Sequence, residues 1–184
     1  MGMGFFGPFK PTAIRTWSHY IIVATYYCIK WVEAKPLRDN TTTSTTKFLY
    51  ENIWCRFGCP IELVSDQGTH FINKIIHELS TYYAVVHKKR TPYYPQANGL
   101  AESTNKTIQT ILKNIVNQNR SNWDQKLNSA LWAYRTSYKT SIQSTPFCMA
   151  FGLEAVMPIE FQVPTLRIQV LRDQAQLSLG SQHM

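Results

Sequence analysis

The sequence predicts a mixed α/β fold in which helices cover a sheet, and three observations carry that reading. Short apolar, β-branched runs come first, helical periodicities then alternate with further short runs, and Pro and Gly punctuate the joins. His19 to Tyr27 (HYIIVATYY) is apolar, β-branched and aromatic, as a buried strand requires, and Trp31 to Leu37 (WVEAKPL) is its partner in a hairpin. Thr43 to Phe57 places Phe48, Leu49, Ile53 and Trp54 at helical spacing and stops at Gly58 and Pro60; Ile61 to Ser65 then reads as a strand.

Phe71 to Tyr83 is a second helix, with Phe71, Ile72, Ile75, Ile76 and Leu79 on one face. Val85 to Thr91 (VVHKKRT) is a short strand that turns basic, and PYYPQANG after it reads as a loop because of its prolines and glycine. Ala101 to Asn117 is a helix that buries Ile108, Ile111, Leu112 and Ile115. Trp123 to Tyr138 is another, with Trp123, Leu127, Leu131, Trp132 and Tyr134 on its apolar side. One domain over residues 1–160 is expected, followed by a C-terminal extension, 161–184, with little pattern and poor order.

The 184 residues are 44% hydrophobic and 13% aromatic, enough apolar material for a core. A net charge of +8 points to a polyanionic partner, with nucleic acid ahead of a membrane surface. No apolar stretch reaches the length of a spanning helix and no signal-peptide layout is present, so an intracellular protein with no membrane partner is expected. In a reducing compartment Cys28, Cys55, Cys59 and Cys148 are expected as free thiols in or near the core. A zinc site from Cys55, Cys59, His70 and His77 fits no standard finger spacing. His87 has no visible partner for acid–base work.

Two carboxylates attract attention. Asp66 precedes Gln-Gly at the end of a strand, so it is either a turn residue that accepts local N–H groups or a metal ligand at a strand tip. Glu102, Asn105, Lys106, Gln109 and Lys113 share one helix face opposite the isoleucines. That stripe is either a solvated face with an acid favoured at the helix start, or an acid facing Asp66 with a track for a nucleic-acid backbone beyond it.

Thirty-five residues separate Asp66 from Glu102. With SDQGTHF, PYYPQANG and AESTN around them, these positions resemble the second and third acids of the D,D-35-E retroviral integrase catalytic core. KWVEAKPL, RFGCPIELVSDQGTHF, PYYPQANGLAESTNK, LWAYRTSYKT and STPFCMAFGLEAVMPIE are similar, in order, to segments of integrases from gypsy-class LTR retrotransposons, especially plant elements. The resemblance covers nearly the whole chain. It implies an RNase-H-like fold, a five-stranded mixed sheet flanked by helices, and DNA integration by metal-dependent polynucleotidyl transfer.

In that family three carboxylates hold two Mg²⁺ or Mn²⁺ ions, one to activate the attacking hydroxyl and one to stabilise the leaving oxygen. The resemblance therefore assigns Asp66 and Glu102 as catalytic metal ligands. The first acid, however, is expected in a segment like W-G-M-D-F-I-G-P, and here MGMGFFGPF puts Gly4 in its place. Tyr26 is a second departure, standing where related elements carry a non-catalytic Asp. Weak or absent metal binding and a catalytically inactive copy follow as expectations.

DNA binding needs no metal. Lys88, Lys89, Arg90, Tyr94, Asn98, Asn105, Lys106, Gln109 and Lys113 are the expected contacts, against the plainer reading of a charged rim. The family also implies a homodimer through its last helices, element ends and target DNA as partners, and a nuclear or retrotransposon-particle location. Full integrases carry an N-terminal zinc domain and a C-terminal DNA-binding domain; neither is visible, so the chain reads as a fragment. Two competing functions share these residues: a non-catalytic DNA-binding or dimerisation module, and an RNase-H-fold nuclease acting on RNA–DNA hybrids.

Overall fold

A computed structural model describes residues 1–66, 68, 70–89, 95–118 and 120–156, with only the backbone described for 95–102. Five strands form one mixed sheet in the order β3-β2-β1-β4-β5. β1 (Gly2–Phe6), β2 (Tyr20–Thr25) and β3 (Val32–Leu37) make an antiparallel meander, and β4 (Glu62–Ser65) and β5 (Val86–Lys89) extend it in parallel beyond β1. This is the expected five-stranded mixed sheet flanked by helices.

Side chains alternate across the sheet, so each face builds its own core. Phe6, Ile21, Val23 and Val32 face one side. There they meet Ile108 and Leu112 of α4 (Pro95–Ile115) and Trp123, Leu127, Leu131 and Tyr134 of α5 (Trp123–Thr136). Met3, Ile22, Ala24 and Leu63 face the other. They meet Phe48 of α1 (Thr42–Phe48), then Leu49, Ile53 and Trp54 of the π-helical turn Leu49–Trp54, and Phe71. The helical run ends in α2 (Cys55–Phe57) at Gly58, whose φ of +79° is open to glycine at no steric cost.

α3 (Lys74–Tyr82) starts three residues later than its apolar pattern suggested. Asn73 caps it, accepting a hydrogen bond from the Ile76 amide at 3.0 Å, and Phe71 packs from the preceding turn. Ile76 is fully buried, but Ile75 is 53% exposed, so the isoleucine pair splits between core and solvent. A short α6 (Pro146–Phe151) is capped by Thr145 and ended by Gly152 at φ +73°.

Three sequence expectations are corrected. The segment PQANG is the first part of α4 and not loop. Proline is tolerated in a first turn because its missing N–H would have no helical partner there, and the run that follows outweighs the roughly 1 kcal/mol cost of Gly99. Trp132 is 40% exposed on α5, where Ala130 is the buried residue. Cys28, Cys55 and Cys59 are free but exposed, in a turn, on the outer side of the helical run and in the bend before β4; Cys148 is half-buried. The proposed extension 161–184 lies outside the described residues. Among the described residues no helix is long and apolar enough to cross a membrane.

Candidate active site and nucleic-acid interface

The parallel pairing of β1 with β4 positions the strand tip. Gly2 is opposite Val64, and that register, continued two residues past the paired position, aligns Gly4 with Asp66 just beyond the end of β4. Gly4 also pairs with Val23, whose side chain lies in the α4/α5 core. Asp66 follows directly after the last residue of β4, Ser65, where the strand alternation ends. The parallel register thus sets Gly4 and Asp66 at the same end of the sheet.

Asp66 takes the turn role its sequence allowed. Its Oδ1 accepts the Gly68 amide at 2.8 Å, an Asx turn, yet the side chain remains 57% exposed at the end of the sheet. His70 returns toward it, with Nε2 4.0 Å from Oδ1. The His70 ring is wedged edge-on against Phe5 and Phe71, at centroid distances of 4.6 and 4.5 Å, and its buried Nε2 has no hydrogen-bond partner. Gly68 permits this closure: a Cβ there would stand 2.4 Å from His70 Cε1 and 2.9 Å from Asp66 Oδ1. No signal in the sequence pointed to His70 as a neighbour of Asp66.

At Gly4 the opposite holds. A Cβ would meet nothing within 4 Å, so a side chain has open space beside Asp66 and none is present. The described donors consequently do not fit a two-ion centre. Asp66 offers one carboxylate, Gly4 offers none, and among the described residues no three His, Cys, Asp or Glu side chains gather as metal ligands. Cys55, Cys59, His70 and His77 are not brought together as such a group either.

Glu102 is the eighth residue of α4, in its third turn and not at its start, so the stabilisation of an acid in a first helical turn does not apply to it. Its side chain lies outside the described residues, as do Arg90 and Tyr94, and the Asn98 side chain. Further along α4, Lys106 and Lys113 are exposed, Asn105 and Gln109 half-buried, and Ile108 and Leu112 buried on the opposite side, as the stripe predicted.

The basic run on β5 divides. Lys88 pairs with Glu62 across the strands at 2.6 Å and shares the face of Val64, whereas Lys89 pairs in register with Ser65 and faces the α3 side. Lys88 and Lys89 therefore cannot form one contiguous phosphate track, because successive strand residues point to opposite faces. His87, without a visible partner in sequence, has one: a 2.8 Å hydrogen bond joins Nε2 to Ser65 Oγ. Burial, then Lys89 and His77, hold its pKa below the ordinary value, which favours the neutral ring.

The sheet and flanking helices define the class, an RNase-H-like domain with the fold of retroviral integrase catalytic cores. The catalytic core domain of BIV integrase superposes with a TM-score of 0.64 at 19% identity, over 82% of this chain and 92% of that one. The HTLV-2 integrase catalytic core domain in complex with magnesium gives 0.61 at 17% identity, over 80% and 91%. A chain of the simian T-cell lymphotropic virus intasome gives 0.67 at 19%, over 85% and 57%.

Homologues of the chain are retroviral and retrotransposon Pol polyproteins. The Gag-Pol polyprotein of avian reticuloendotheliosis virus is 30% identical over 135 residues, 73% of this chain and 12% of that protein. That of woolly monkey sarcoma virus is 32% identical over 139 residues, 75% and 8%. The retrovirus-related Pol polyprotein from transposon 412 of Drosophila melanogaster is 20% identical over 144 residues, 78% and 12%. The chain thus spans a small part of the length of each relative. No protein-family model matches it.

Proposed function

We propose that the chain is the integrase catalytic core of an LTR retrotransposon of the gypsy class, close to plant elements, and that this copy binds DNA but does not join it. The observation that carries the second half is Gly4, which leaves Asp66 without a neighbouring carboxylate in a position with room for one. Two-ion phosphoryl transfer needs a ligand shared by both ions, and its loss removes nucleophile activation together with charge neutralisation. Asp66 and Glu102 are the remaining ligands for Mg²⁺ or Mn²⁺, held weakly if at all.

DNA binding rests on Lys106, Lys113, Asn105 and Gln109 along α4, with Lys88 and, from the sequence, Arg90, Tyr94 and Asn98 nearer the strand tip. Lys89 belongs to the opposite face and is the weakest member of the set. A homodimer through α5 is supported by the exposure of Trp132. Location in the nucleus or a retrotransposon particle follows from the same reading, as do element ends and target DNA as partners.

The deciding experiment compares Gly4→Asp with the natural chain, with Mn²⁺ supplied, for metal binding, end joining and its reversal on a branched substrate. Activity in Gly4→Asp alone is the expected result, and its loss on adding Glu102→Gln identifies the third ligand. Joining by the natural chain above a Glu102→Gln control would overturn the inactive assignment. A second reading, a non-catalytic DNA-binding or dimerisation module derived from an integrase, is favoured by the exposed Lys106 and Lys113. Under it, salt-dependent binding persists while Gly4→Asp stays silent.

A further inference from the structure

A polar cavity of about 180 Å³ opens where the β2–β3 turn, α4 and the segment after α5 converge. Lys30 and Lys139 supply its charge, Ser103 and Thr107 of α4 and Ser141 supply hydroxyls, and Tyr134 forms a wall. The two lysines are half-buried, and neither forms an ion pair with a carboxylate among the described residues. From water's share of about 30 Å³, the space holds roughly six waters, or one tetrahedral oxyanion with part of its hydration.

The Lys139 ammonium is held in place by the fold, and the backbone at Lys30 is fixed in an uncommon conformation. Lys139 donates to Ser137 Oγ at 2.7 Å, its Nζ lies 4.0 Å from the Tyr134 ring centroid, and its backbone bridges to Ser144. Lys30 has φ +57°, a left-handed conformation that a non-glycine residue adopts at a cost, immediately before buried Trp31. Burial lowers the pKa of each, opposed at Lys30 by the nearby Cys28 thiol, the direction expected of an ammonium that has lost water. Neither lysine belongs to the polar stripe of Glu102, Lys106 and Lys113: Ser103 and Thr107 lie on the adjoining flank of α4.

We infer that this cavity is a phosphate-binding site, with Lys30 and Lys139 as its cations and the hydroxyls of Ser103, Thr107 and Ser141 as its polar lining. A nucleic-acid backbone phosphate is the source favoured by the overall charge of +8, and only that last step rests on the DNA-binding reading above. Free phosphate is the alternative source of the same chemistry.

The test titrates the chain, labelled with ¹³C-lysine, with inorganic phosphate, pyrophosphate and a DNA duplex, following the Lys30 and Lys139 methylene signals. Saturable phosphate binding that shifts both is expected, weakened roughly tenfold or more by Lys139→Gln and retained by Lys139→Arg. Ser141→Asp, at an exposed position, puts an anion at the cavity and should abolish the phosphate response while the protein stays folded. Displacement of phosphate by duplex identifies a backbone phosphate as the ligand; duplex bound without displacement identifies a free phosphate, and in both cases the site stands. No saturable shift at either lysine, or binding indifferent to Lys139→Gln and Ser141→Asp, overturns the inference. Failure of the DNA reading would appear separately, as absent duplex binding with the phosphate titration intact.

Discussion

Two ends of one sheet each carry an acid, buried at one and exposed at the other. On edge strand β3, Glu33 is 5% exposed and fully provided for. Arg135 Nη2 reaches Oε1 at 3.0 Å, Arg56 Nη1 reaches Oε2 at 3.1 Å and the Trp31 indole donates to Oε1 at 3.0 Å. Arg135 also donates to the Val32 carbonyl, 2.9 Å from Nε and 2.6 Å from Nη2, and lies 4.3 Å from the Trp31 ring centroid, closing the sheet edge. At the β1/β4 tip, among the described residues, Asp66 has one amide, a distant histidine and a glycine with open space at its Cβ. Glu33 is satisfied from every side and ties β3 to α2 and α5, whereas among the described residues Asp66 is held only by its own turn and by His70 at 4.0 Å.

The difference is testable, beginning with the largest effect. Glu33→Ala leaves Arg135 desolvated without its counter-charge, and removing one partner of a buried pair costs about 3–5 kcal/mol. Denaturant unfolding should show that loss, with Glu33→Gln milder because the indole and one guanidinium keep an acceptor. At the open end, Gly4→Asp meets no atom within 4 Å at its Cβ and should cost less than Glu33→Ala in the same unfolding experiment. Equal costs at the two ends would remove the contrast.

Much of the architecture could be read from pattern, and the reasons it could not elsewhere are local. The hairpin, the Glu62–Ser65 strand and the two long helices carry their periodicity in the side chains that pack, so sequence and structure agree there. The start of α4 was misread because proline and glycine weigh against a helix locally while a long amphipathic run decides the outcome. At the site, the alignment of Gly4 with Asp66 follows from the Gly2–Val64 register, and Ser65 with His87, or Glu33 with Arg56 and Arg135, are contacts across long stretches of chain. No short-range pattern encodes these.

The turn that holds Asp66 provides an intermediate effect. Gly68→Ala drives a Cβ to within 2.4 Å of His70 Cε1, and His70 cannot swing away freely because Phe5 and Phe71 pin its ring. Overpacking of this kind costs about 1–3 kcal/mol. The substitution should also disturb Asp66, whose Oδ1 is 2.9 Å from the added atom. Introduced into Gly4→Asp, it should reduce Mn²⁺ binding as well as stability. A loss of stability with metal binding unchanged would separate the turn from the site and leave the Asx geometry a purely local device.

The smallest effect concerns the back of the tip. His87 joins β5 to Ser65 one residue before Asp66, and burial, with Lys89 and His77 nearby, keeps its folded pKa below the ordinary 6.5. Between the folded and unfolded pKa values the unfolded chain binds more protons, so stability rises with pH across that window. The contribution is complete above 6.5 and is lost as pH falls from there through the folded value, after which it is constant. His87→Gln keeps a hydrogen-bonding partner for Ser65 without titrating, so it should flatten this part of the stability profile and leave the slope above 6.5 untouched. An unchanged slope would mean that another group titrates there and that the cations around His87 are relieved by solvent. Such a result would weaken the contrast from the other side, because part of the tip would then be as well satisfied as the edge.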